Sequence, residues 1–263
     1  MNILDFKVKK NRQEKISMVT CYDYTSARLL AHTSLDCILV GDSVAMTIHG
    51  FKNTLAATLA MMSAHTSAVS RGCGDKFIVS DLPFLSYRKS LSDSIAAASE
   101  LMQAGAHAVK LEGAAGNEAF IQHLTESGVP VMGHLGLTPQ LINTLGGHKV
   151  QGKTVDAAKR IQEDALKLEA AGCFALVLEC VPAQVAKDIT ESLTIPTIGI
   201  GAGPDTDGQV LVYQDLLGLN LDFKPKFVKS FIEGHLHVRQ GVENYISAMK
   251  NGEFPRNEHC YQN

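Results

Sequence analysis

Four acidic side chains stand directly after short apolar runs. They are Asp42 in Val40-Gly41-Asp42, Asp81 in Val79-Ser80-Asp81, Glu112 in Lys110-Leu111-Glu112 and Glu179 in Val177-Leu178-Glu179. An acid after a strand often caps the next helix, and for any one of the four that reading competes. Four in the same structural place are harder to explain that way. Unpaired carboxylates gathered at one mouth repel one another, so a cation is expected among them. Oxygen donors without a converging His or Cys set favour Mg²⁺ over zinc. A 2-keto acid offers such an ion two oxygens, and a Lewis acid there acidifies the neighbouring C–H. Asp42, Asp81 and Glu112 are the expected metal side chains, directly or through water. Glu179 is left as the base that takes the proton.

Lys110 lies two residues before Glu112, so both side chains leave the same face of a strand. A buried lysine needs a partner. A substrate carboxylate or enolate oxygen would serve. A structural ion pair with Asp81 or Glu112 competes, and so does a Schiff-base nucleophile of the kind used by metal-free aldolases. Ser43 follows Asp42 and is a substrate contact or a helix cap. His134, in Gly133-His134-Leu135-Gly136, is either a site residue or a satisfied structural histidine. Gly199-Ile200-Gly201-Ala202-Gly203 lets backbone come close to a ligand, but it is not the G-x-G-x-x-G of a dinucleotide site. Gly146-Gly147 with Lys149 forms either an anion-contacting loop or an ordinary turn.

Such residues need a scaffold that brings distant strand ends together. Apolar runs alternate with helical patterns along the whole chain. The runs are Ile16–Cys21, Cys37–Val40, Phe77–Val79, Ala108–Leu111, Val129–Met132, Phe174–Leu178 and Thr197–Ile200, with a weaker one at Val210–Val212. They are short, rich in Val and Ile, and apolar on both faces, as buried parallel strands are. Leu59, Met62, Thr66 and Val69 step by three and four, and so do Ala158, Ile161, Ala165 and Leu168 behind a Thr154 cap. Gly72, Gly105, Gly128 and Gly172 read as helix stops. Ala104–Glu112 echoes Ala171–Glu179 as two units of one design. The expected fold is a single-domain (β/α)8 TIM barrel over residues 1–263, with a doubly wound open sheet as the alternative. Two longer connections, after Asp42 and after His134, leave strand ends where barrel active sites form. The tail from about Gly241 reads as one helix and a polar end.

Composition sets the outer limits. The 263 residues are 45 % hydrophobic and 19 % charged, and the formal net charge is −3. One barrel accounts for that length. No basic field exists to hold nucleic acid or an anionic membrane. The six cysteines form no C-x-x-C pair, so free thiols in a reducing compartment are expected. No apolar run is long enough to span a bilayer, and Met1–Lys15 is not patterned as a secretory signal. A cytoplasmic protein is expected.

At the residues just described the chain resembles the ketopantoate hydroxymethyltransferase family. The segments that carry the resemblance are TCYDYTSARL, LVGDSVAMT, SDLPF, VKLEG, GHLGLTPQ, GGHKVQGK, LVLECVP and IGIGAGPDTDGQVLV, spread from about Ile16 to the tail. The resemblance implies a barrel of the phosphoenolpyruvate mutase/isocitrate lyase superfamily. It implies transfer of a hydroxymethyl group from 5,10-methylenetetrahydrofolate to 3-methyl-2-oxobutanoate through a magnesium-stabilised enolate. The products would be 2-dehydropantoate and tetrahydrofolate, a step of pantothenate biosynthesis. By motif, Asp42, Asp81 and Glu112 look like the Mg²⁺ site. Asp42, Ser43, Asp81, Lys110 and His134 look like substrate contacts, and Glu179 looks like the proton acceptor. A homo-oligomer, specifically a decamer, is also implied. Where the family commonly has GGYKVQG, this chain has His148 in place of Tyr.

Two rivals are set apart by particular residues. A C–C lyase of the same superfamily would carry a reactive cysteine loop, and Cys180 lacks that context. A non-catalytic metabolite-binding barrel would tolerate loss of one acid, yet all four are present.

Overall fold

The computed structural model describes residues 1–221 and 225–262. Eight parallel strands close into a barrel in chain order, with the last paired to the first. They are β1 Ile16–Thr20, β2 Cys37–Val40, β3 Phe77–Asp81, β4 Ala108–Glu112, β5 Val131–Gly136, β6 Ala175–Glu179, β7 Thr197–Ile200 and β8 Gly208–Leu211. Closure excludes the open sheet. The weak eighth run is a true strand, β8, that pairs with both β7 and β1.

Alternate side chains serve two cores, as the period of a strand requires. Met18, Leu39, Val79, Ala108, Met132, Val177, Ile198 and Val210 fill the lumen. Ile38, Ile78, Val109, Leu111, Val131, Leu176 and Leu178 point outward to the helices. The helix Ile3–Asn11 begins on Asn2, whose side chain accepts from Leu4 N–H while Asp5 accepts from Asn2 N–H. Its Phe6 is fully buried and meets Phe77 and Phe174 edge-on, at ring-centre distances of 5.3 and 5.1 Å. This trio stoppers the N-terminal end of the barrel.

Several boundaries depart from the apolar runs for local reasons. β3, β4 and β6 continue onto their acids, because Asp81, Glu112 and Glu179 are themselves ladder residues, paired with Lys110, His134 and Ile200. β5 starts at Val131, not Val129, since Val129 N–H turns back to Leu124 O and closes a helix. Gly105, Gly128 and Gly172 stop helices in the left-handed region, with φ of 109°, 87° and 101°. Gly72 does not. It lies inside Leu59–Gly72, and a β-carbon there would stand 2.6 Å from Tyr24 O, so this glycine serves close packing of two helices. Thr154 caps Val155–Ala170 through Ala157 N–H, as its position suggested.

The chain divides into two compact units, Met1–Val212 and Tyr213–Asn263. The described residues of the second include a short helix, Tyr213–Leu216, and a long one, Gly234–Lys250. The long helix starts seven residues before Gly241. Gly241 is exposed with open space around it, where a helical glycine costs only about 1 kcal/mol. Among the described residues no helix is long and apolar enough to cross a membrane. All six cysteines are free, with Cys260 exposed and Cys180 half-buried.

Candidate active site

The register of the barrel staircase decides which polar side chains meet. Asp81 is level with Lys110, and Glu112 is level with His134. Glu179 is level with Gly136, two residues past His134 on the same face. Asp42 follows β2 by two residues. All of them therefore reach the C-terminal mouth of the barrel, the end where barrel enzymes build their sites. None of the four acids caps a helix. The positions before the following helices belong to Ser43, Ser90, Asn117 and Pro182.

The contacts are specific. Lys110 Nζ lies 2.8 Å from Asp81 Oδ1, and both side chains are at most 5 % exposed. Asp81 Oδ1 has no hydrogen bond of good direction, while Oδ2 accepts from Asp42 N–H at 3.0 Å. His134 bridges two acids: Nδ1 is 3.4 Å from Glu112 Oε1 and Nε2 is 3.2 Å from Glu179 Oε2. The Nε2 contact is off the direction of a good hydrogen bond. Glu179 is the most open of the set, with its side chain 18 % exposed. Gly136 lets the end of β5 pass close to β6, since a β-carbon there would run into the Glu179 carbonyl oxygen.

Electrostatics follow from the geometry. Burial disfavours a charge on Lys110, but Asp81, Glu112 and Asp42 outweigh it and hold the amine above its ordinary range. Burial and Lys110 likewise oppose a charge on His134. The close contacts with Glu112 and Glu179 prevail, and its pKa is pushed up to about 9. Asp42 is raised well above the carboxylate range by burial, then by Asp81 and Glu112. Four acidic side chains thus converge on one lysine and one histidine, and their crowding is part of what raises Asp42. Among the described residues no three His, Cys, Asp or Glu side chains converge tightly enough to form a ready-made metal cage.

Ser43 is no helix cap, since it makes no side-chain cap bond. Its hydroxyl pairs with Tyr22 OH at 2.8 Å, and a β-carbon on Gly41 would crowd its Oγ at 2.8 Å. In the glycine-rich Gly199–Gly203 stretch two of the glycines serve packing within the chain. The space beside Gly199 and Gly203 is taken by Thr206 and Ala183 of the chain itself.

Three buried polar residues went unnoticed in the sequence. Gln140 donates to Asp42 and Glu112, Tyr87 bonds Gln140, and Asn117 donates to the Glu112 and Gly113 carbonyls. The only signal for Gln140 was its place in GHLGLTPQ, past a strand end. Cys180 carries another signal: at φ 48° it is a non-glycine residue in the left-handed region, directly after Glu179.

Comparison with known proteins bears on this geometry. The sequence model of the family described as Ketopantoate hydroxymethyltransferase matches residues 1–257. A 3-methyl-2-oxobutanoate hydroxymethyltransferase of Francisella tularensis subsp. tularensis is 57 % identical over 260 residues, 99 % of this chain and 98 % of that one. Its counterpart in Bdellovibrio bacteriovorus is 56 % identical over 259 residues, 98 % of each chain. A solved structure of phosphoenolpyruvate phosphomutase from Streptomyces platensis subsp. rosaceus matches with a TM-score of 0.63 at 11 % identity. That match covers 96 % of this chain and 88 % of that one, and is a likeness of fold alone.

Proposed function

This chain belongs to the ketopantoate hydroxymethyltransferase family and is a transferase enzyme, and from that premise we propose its reaction in full. It moves a hydroxymethyl group from 5,10-methylenetetrahydrofolate to 3-methyl-2-oxobutanoate, giving 2-dehydropantoate and tetrahydrofolate, a step towards pantothenate. The observation that carries the reading is the meeting of Asp42, Asp81, Glu112 and Glu179 with Lys110 and His134 at one mouth.

The donor set suits a magnesium ion. It consists of hard oxygens, burial and the crowding of its acids raise Asp42, and Asp81 Oδ1 is buried without a well-directed hydrogen bond. Magnesium takes one or two carboxylates directly and keeps waters, so a closed three-acid cage is not required. Asp42, Asp81 and Glu112 would hold it. Bound there, it would supply Lewis acidity to the two oxygens of the keto acid.

The chain's own residues do the rest. Glu179, the most open of the acids, takes the proton from C3 of the keto acid, and the C–H electron pair becomes the new C–C bond to the one-carbon unit as the two C–N bonds that hold that unit to the folate break. Water supplies the hydroxyl group, and its second proton and the one taken from C3 end on the two freed nitrogens of tetrahydrofolate. Lys110, kept as an ammonium ion, and His134, whose pKa is raised, face the negative charge that develops on the substrate. Ser43, held by Tyr22, is positioned as a hydroxyl contact. A homo-oligomer, a decamer by resemblance, and a cytoplasmic setting complete the reading; light scattering tests the assembly.

The deciding experiment is an assay for 2-dehydropantoate with each component withheld in turn. Product should require 3-methyl-2-oxobutanoate, 5,10-methylenetetrahydrofolate and Mg²⁺ together. Turnover without the folate would make the protein something other than this transferase.

A further inference from the structure

We propose that Gln140 is a positioning residue that sets the Asp42 carboxylate for the ion, with Tyr87 locking the direction of its amide. The inference rests on the magnesium reading above. Gln140 sits in the turn Pro139–Leu141 after β5 and is 3 % exposed. Its Nε2 donates to Asp42 Oδ2 at 2.8 Å and to Leu82 O at 3.0 Å. Its backbone N–H donates to Glu112 Oε2 at 3.0 Å. Its Oε1 accepts from Tyr87 OH at 2.8 Å. The Tyr87 hydroxyl in turn accepts from Glu112 N–H at 3.3 Å, and its one proton goes to the amide oxygen at 2.8 Å over the Glu112 carbonyl at 3.4 Å.

Only one orientation of the amide satisfies this set. A flipped Gln140 would turn its oxygen toward two acceptors, Asp42 Oδ2 and Leu82 O, and leave both unpaired in a buried place. The relay therefore runs one way, from Glu112 N–H through Tyr87 to Gln140 and on to Asp42. It ties the ends of β2, β3 and β4 together from a loop that contributes no acid of its own. It also pins one oxygen of Asp42 and so fixes how that carboxylate is turned. Partners that orient ligand side chains commonly govern affinity by about 10–100-fold.

The test titrates Mn²⁺ into the full chain and reads the free ion by electron paramagnetic resonance. Wild type, Gln140→Met, Tyr87→Phe and the double variant are compared, with folding checked by circular dichroism. Gln140→Met should weaken Mn²⁺ binding about 10–100-fold. Tyr87→Phe should weaken it less, and should add little on top of Gln140→Met, because Tyr87 acts through the amide. A merely structural glutamine would lower the unfolding temperature and leave the affinity of the folded protein unchanged. That result overturns the proposal. If Gln140→Met does not fold, wild-type affinity in Tyr87→Phe overturns it equally. A wild type that binds no Mn²⁺ would sink the metal reading and this inference with it, which sets that failure apart.

Discussion

Asp81 and Lys110 face each other across the β3–β4 ladder, and their side chains meet at 2.8 Å inside the mouth. The pair decides between two chemistries. A Schiff-base enzyme needs a neutral lysine, but Asp81, Glu112 and Asp42 together hold this amine in its ammonium form. Borohydride treatment with 3-methyl-2-oxobutanoate and Mg²⁺ should leave the intact mass unchanged. An adduct on Lys110 near one per chain, with matching loss of activity, would replace the proposed mechanism by an imine route.

Glu179→Gln keeps the shape of the base and removes its proton affinity. The keto acid should still bind, while kcat falls by on the order of 10²–10⁴. Deuterium exchange at C3 of the keto acid should vanish as well. Near-normal exchange would move the base elsewhere; His134, 3.2 Å away, could take that part only as a neutral imidazole, against its raised pKa.

Asp42→Ala and Asp81→Ala each remove a proposed ligand. Both should lose most Mn²⁺ binding and most activity. Asp81→Ala also leaves Lys110 without the partner at 2.8 Å, so it should lose stability by more than Asp42→Ala does. Denaturant midpoints measure that difference, and equal midpoints would argue that Lys110 is held chiefly by other acids.

Asp36 offers a test away from the site. It accepts from Ser17 N–H and Ser17 Oγ, both at 2.9 Å, and pairs with Lys9 at 2.9 Å. Burial opposes its charge, yet these partners prevail, and its carboxyl is held below the usual 3.8. A depressed folded-state value gives stability that is full above the unfolded value and is lost as pH falls through the folded one. Solvent screening keeps the effect to about 1 kcal/mol. The urea midpoint of Asp36→Asn should trail wild type by a constant gap above about pH 5, and the gap should narrow below 3.8. A gap that widens in acid would contradict the assignment.

The strand-end acids were legible because a barrel repeats one unit, so the same place in each unit maps to the same rim. Lys110 with Glu112 was legible from period two alone. The link from His134 to Glu179 was not. It depends on the stagger between β5 and β6 and on the missing side chain of Gly136, and neither is a local property. Gln140 and Tyr87 were hidden for a related reason. Each lies in a loop, where no period marks which way a side chain points, and they meet across 53 residues of chain. Phe6 was hidden by its setting in a charged segment, where one ring does the packing while Lys7 is exposed and Lys9 and Lys10 pair with Asp36 and Asp207.

Phe6, Phe77 and Phe174 close the base of a lumen already filled by side chains, so the acids can be reached from the rim alone. In a recess with one entrance, whatever sits deepest enters first and leaves last. In the proposed reaction the small keto acid, gripped by the acids at the floor of that recess, would then precede the bulky folate. Tetrahydrofolate would have to clear the rim before 2-dehydropantoate could follow. A solid barrel would thus impose a queue at its mouth, with the order of arrival and departure set by packing that touches no reacting atom.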